Sequence, residues 1–151
     1  MEIDWELEDW LLEAGERAER KAVAGGPLTP TERLMREFWM FDIHARNGGV
    51  SQYFANHGPA QWQALKAAWL SAPVPSLGPI IAEVDRVIVG AADPYRAALA
   101  ASPGIEALYE SQQLGVRRAL RRLQDAEPFA ATDRRARELT VRRCGSSPPG
   151  R

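Results

Sequence analysis

This 151-residue chain is poor in the residues that most often bind metals or form covalent intermediates: it has one cysteine, Cys144, and two histidines, His44 and His57. A lone cysteine rules out an intrachain disulfide and agrees with a reducing, cytoplasmic setting. The histidines stand thirteen residues apart with Asp42 nearby, and no C-x-x-C or H-E-x-x-H spacing occurs, so no metal site is expected. Ser51, His44 and Asp42 are the residue types of a catalytic triad, but no nucleophile elbow surrounds Ser51. Gly48-Gly49 lacks the spacing and the preceding strand of a dinucleotide-binding loop. These absences point away from an enzyme and from any cofactor. Apolar runs are short and interrupted, far below the roughly 18 to 20 residues of a membrane span. The acidic start Met1-Glu2-Ile3-Asp4 argues against a secretory signal or transit peptide. Net charge is also missing: 19 Lys and Arg stand against 20 Asp and Glu. A uniformly acidic or basic surface is thereby excluded.

What is present reads as helix. At 45% apolar and 26% charged, the composition suits one compact globular domain. In residues 2–21, Ile3, Leu7, Trp10, Leu11, Ala14 and Ala18 recur at helical spacing on one stripe. Trp5 and Leu12, seven residues apart, lie together on nearly the opposite side among acidic residues. Ala24-Gly25-Gly26-Pro27 breaks this helix. Thr29, Pro30 and Glu32 then form a capping box with proline at the first helical position. The helix they open carries Leu34, Met35, Phe38, Trp39 and Phe41 over a wide arc, the mark of a buried central helix. Gly48-Gly49 is expected to end it, with Gly49 at positive φ. Ser51 caps a short helix, and Gly58-Pro59 starts another with Trp62, Leu65 and Trp69. After the linker Ala72-Pro73-Val74-Pro75, Ser76 caps a segment with Ile80, Ile81, Val84 and Ile88. Arg86-Val87-Ile88-Val89 has strand composition but no partner strand. Asp93-Pro94 and Ser102-Pro103 each read as a cap and a helix start. The second opens a long helix, about 103–126, with Ile105, Leu108, Tyr109, Val116, Leu120 and Leu123 inward. Arg117, Arg118, Arg121 and Arg122 are placed on its other side. The expected fold is therefore all-α, a single domain of six or seven helices. It divides into an acidic N-terminal helix (1–26), a helical domain (27–128) and a basic tail (129–151). In the tail, 132–143 reads as a frayed basic helix and 144–151 as disordered.

Between two apolar helical segments lies Asn47-Gly48-Gly49-Val50-Ser51-Gln52-Tyr53-Phe54-Ala55-Asn56. This cassette resembles the N-G-G-F-x-Q-Y/F-F-x-N signature in the C-terminal domain of the bacterial DNA-mimic protein family. The resemblance runs from about Leu28 to Ala72 and departs from the family at two places. Val50 replaces a phenylalanine, and His44-Ala45-Arg46 stands where an acidic residue, a valine and a small polar residue are usual. The resemblance implies an all-helical fold and a binding role, its best-known member being an acidic dimer that occupies a DNA-binding protein. Read from its own residues, the cassette has two roles open to it. In one, Asn47 and the glycines cap a helix, Tyr53 and Phe54 fill the core, and Gln52 and Asn56 bond loop backbone. In the other, Asn47, Gln52, Tyr53 and Asn56 line a recognition surface.

Charge is distributed unevenly. Residues 1–16 hold seven acids and no Lys or Arg, while residues 101–151 hold ten Arg against six acids. Glu6, Asp9 and Glu13 share the first helix with Trp5 and Leu12, an apolar pair ringed by charge that suits an interface centre. The expected function is a non-catalytic regulator that binds a protein partner, a basic DNA-binding protein or a toxin, or a second copy of the chain. The alternative is nucleic-acid binding through the C-terminal arginine face. That face lacks interleaved aromatics for base stacking, which makes direct nucleic-acid binding the weaker expectation.

Overall fold

A computed structural model describes residues 4–126. Four α-helices and one short turn make up the fold: α1 (Trp5–Val23), α2 (Pro30–Ser71), a 3₁₀ turn (Pro75–Leu77), α3 (Gly78–Ile88) and α4 (Pro94–Ala126). The structure is 88% helical and no strand occurs among the described residues, so the fold is all-α. Ile3, the basic segment 132–143 and the tail 144–151 lie outside the described residues. No helix among those described is long and apolar enough to cross a membrane.

Local chemistry accounts for the helix ends. The Leu7 amide donates to Asp4 Oδ1 (3.2 Å) at the start of α1. Gly25, at φ +77°, follows its end. The capping box of α2 is complete: Glu32 N donates to Thr29 Oγ1 (3.1 Å) and Thr29 N donates to Glu32 Oε2 (2.8 Å). Each such cap offsets orphan amide groups and contributes about 1 kcal/mol.

The expected six or seven helices reduce to four elements. Within α2 the backbone leaves helical geometry at Gly48, Gly49 (φ +80°) and Gly58 (φ +71°), so this one element contains the breaks that the glycines imply. Pro103, expected to start a helix, instead lies inside α4. Ala98, Ser102, Ile105 and Tyr109 form one continuous buried stripe across it. Ser102 Oγ donates forward to Glu106 Oε1 (2.7 Å) rather than capping. Packing of that stripe outweighs the amide lost at the proline, a cost of ~3 kcal/mol. Ser76 likewise caps nothing; its buried Oγ has no partner among the described residues. The β-branched run at 86–89 closes α3 rather than forming a strand.

The long α2 is the centre of the molecule, with α1 and α4 packed against it and α3 packed on α4. Its aromatic residues meet around Phe41. The Phe41 ring stands edge-on to Tyr53 (centroids 5.3 Å apart) and to Tyr109 of α4 (5.7 Å), and tilted to Trp62 (5.7 Å). Leu11 and Ala14 of α1 belong to the same buried cluster. Edge-to-face pairs contribute about 0.5–1.5 kcal/mol beyond area burial. Phe41→Ala should therefore destabilise the fold by about 3–5 kcal/mol. In urea unfolding this appears as a lower midpoint at unchanged slope; a midpoint equal to the parent's would show that Phe41 is not the hub.

Candidate functional site

The cassette that follows the first part of α2 is largely architecture. Tyr53 and Phe54 are buried in the core. Burial of both rings is what the core reading of the cassette expects; of the recognition-surface reading, Tyr53 is corrected, since its ring does not reach solvent. The Gln52 side chain folds back over Gly48, where a Cβ would overlap it. Gly49 is constrained twice. Its φ of +80° is left-handed, and a Cβ there would overlap the Glu106 carboxylate and lie 3.1 Å from Ser102 Oγ. Glycine thus lets α2 turn against the flank of α4. Asn47 and Asn56 are exposed. Asn56 bonds a side chain rather than loop backbone, its Nδ2 lying 3.3 Å from His44 Nδ1.

His44 also meets His57, with the two Nε2 atoms 2.8 Å apart. A hydrogen bond at this distance requires one ring to donate and the other to accept, so the imidazoles cannot both be protonated and keep it. Two histidines alone do not make a metal centre, and no group of three or more His, Cys, Asp or Glu able to hold a metal occurs among the described residues.

The first helix sorts its residues as the periodicity implies. Leu7, Leu11, Ala14 and Ala18 are buried, while Trp5 and Leu12 are 68% and 44% exposed. Glu6, Asp9 and Glu13 are exposed on the same side. Glu8 departs from them by turning inward, where it pairs with Arg117 and Arg46.

This inward turn exposes a centre that the sequence did not announce. Arg117, expected on the solvent face of α4, is only 5% exposed. Its Nη2 donates to both carboxylate oxygens of Asp42 (3.1 and 3.2 Å), from a position 75 residues away in the chain. Asp42, 1% exposed, also receives Arg46 Nη2 at 2.8 Å. With the Gln113 amide oriented oxygen-inward, that oxygen accepts from Arg117 Nη2 at 2.9 Å. Burial pushes the Asp42 carboxyl up to about 6, opposed by Arg46 and Gln113, and pushes the Arg117 guanidinium down to about 10. Both groups are consequently charged at neutral pH. A signal for Arg117 did exist: at helical spacing it borders the stripe of Tyr109, Val116 and Leu120, whereas Arg118, Arg121 and Arg122 point away and are exposed.

Beside this network, α1, the glycine turn and α4 enclose a cleft of about 670 Å³. Trp5, Gly48 and Gly49 all line it. Two features far apart in sequence, the exposed tryptophan and the cassette, therefore meet at one place. Leu12, Gln52, Asn47 and Asn56 are not among its lining residues. Compared with protein-family models, curated proteins and solved structures, the chain matches none.

Three outcomes follow from this geometry. Asp42→Asn removes one of the two carboxylates that pair with buried Arg117 and should cost about 3–5 kcal/mol, read as a fall in denaturation midpoint. Gly49→Ala should cost about 1–3 kcal/mol through backbone strain, with a further cost from the clash with Glu106. His44 titrates below its ordinary 6.5 because burial disfavours the imidazolium and the charge of His57 repels it. The unfolded chain then binds more protons than the folded one, so stability falls as pH is lowered through about 6.5. Proton NMR of the ring should give a midpoint below that of a random-coil histidine, and a midpoint above it would contradict the assignment.

Proposed function

We propose that the protein is a non-catalytic regulator that binds a basic protein partner, a DNA-binding protein or a toxin, through the outward face of α1. One observation carries this reading: Trp5 and Leu12 stand in solvent in a row with the exposed carboxylates of Glu6, Asp9 and Glu13, while the opposite stripe of the same helix is buried. An apolar pair flanked by acids suits the centre and rim of an interface with a cationic surface. The resemblance of the cassette to the DNA-mimic family agrees with such a role. Mimicry in this chain would be confined to one helix face, since the overall charge is balanced.

The arginine face of α4 offers less. Arg117 is committed to Asp42 and Glu8, which leaves Arg118, Arg121 and Arg122 outward in the described part of the helix. The two readings separate by experiment. Leu12→Ala with Asp9→Lys alters only exposed positions and should leave stability within about 0.5 kcal/mol of the parent. Affinity for a partner captured from the native cell should fall at least roughly tenfold. If that variant keeps the partner, and Arg118→Ala with Arg121→Ala instead abolishes binding to nucleic acid, the regulator reading fails in favour of nucleic-acid binding.

A further inference from the structure

The cleft between α1, the glycine turn and α4 has a wall chemistry of its own. Trp5 contributes an indole that is largely in solvent. Glu106 and Glu110, one turn apart on α4, contribute two carboxylates that form no ion pair among the described residues. Glu106 spends one oxygen on the Ser102 hydroxyl (2.7 Å) and has the other left. Tyr109, 3% exposed, is part of the same wall, and its buried hydroxyl has no hydrogen-bond partner among the described residues. Arg46 at the margin is already held by Glu8 and by Asp42 Oδ2 (2.8 Å). An incoming anion would have to break those pairs to use it. The charge left over at the cleft is therefore negative.

We infer that this cleft is a receptor for an arginine side chain. A guanidinium is planar and weakly hydrated, so it stacks on an indole face. Its forked donors match a pair of carboxylates. Lysine offers a point charge without the planar stack. Gly48 and Gly49 line the floor, where the Glu106 carboxylate lies against Gly49. The source of the arginine rests on the reading of α1 as the contact surface for a basic protein: Trp5 belongs to both, so a partner lying along α1 would place a basic side chain at the cleft mouth.

The test uses the full chain, ¹⁵N-labelled, titrated with the blocked tripeptide Gly-Arg-Gly and with its neutral citrulline counterpart. The arginine peptide should shift the Trp5 indole N–H and the Gly48 and Gly49 amides, and the citrulline peptide should not. Glu106→Gln with Glu110→Gln keeps the Ser102 acceptor and should weaken the response about tenfold, with amide shifts elsewhere unchanged as evidence of an intact fold. Trp5→Ala should weaken it as well. No response to arginine, an equal response to citrulline, or a response to a Gly-Glu-Gly peptide through Arg46 would each overturn the assignment. Its fate is separable from that of the regulator reading. Arginine binding in the cleft, with partner capture indifferent to Leu12→Ala and Asp9→Lys, would sink the regulator and keep the receptor. Partner capture that depends on those positions, with a silent cleft, would do the reverse.

Discussion

A guanidinium that cannot reach water decides how three of the four helices meet. Arg117 of α4 lies against Asp42 of α2 and Glu8 of α1, and all three groups are largely buried. An ion taken out of water costs several kcal/mol unless counter-charges and hydrogen bonds surround it. Here they come from two other helices, so no arrangement of α1, α2 and α4 that separates these residues keeps the charges compensated. Ion pairs of this sort add little net stability relative to an apolar core. What they add is a penalty on alternatives: rotating α4 to free Arg117 would leave buried Asp42 with Arg46 alone.

The parts of the fold legible in the sequence are those that local chemistry decides. The Thr29–Glu32 box forms as written, the Leu7, Leu11, Ala14 and Ala18 stripe is buried, and Gly49 takes positive φ. What was not legible depends on contacts distant in sequence. A helix start at Ser102-Pro103 is a sound local reading, yet the stripe from Ala98 to Tyr109 presses on α2 and carries the helix through the proline. The inward turn of Arg117 required knowing that Asp42 is buried and pairs, on its own helix, with Arg46, leaving room for a second guanidinium from α4. Of the candidate site residues, periodicity found the exposed pair Trp5 and Leu12. It could not show that Trp5 would line the same cleft as Gly48 and Gly49.

The cassette illustrates how a recognisable motif divides its labour. Tyr53 and Phe54 join the aromatic cluster around Phe41, and Gly49 permits the approach of Glu106 and Ser102. These residues build the wall of a cleft without offering their own side chains to it. The side chains that line the cleft come from elsewhere, from α1, from α4 and from Ala45 and Arg46 of α2. Residues that name the motif thus serve as scaffold, and the chemistry is supplied by its neighbours.

Gly15 lies against Trp39, so near that a Cβ on it would overlap the indole. Helix α1 is therefore seated on α2 by backbone contact at one turn, in the manner of a keyed shaft. A turn of about 100° about its own axis would bring a neighbouring residue's side chain to that seat, and both Ala14 and Glu16 are larger than the slot. The rotational phase of α1 is consequently locked at its midpoint, several turns from either end. The row of carboxylates on its outer side is then a fixed ruler of charge, with spacing set by helix geometry alone, and the helix cannot roll to change where that row points.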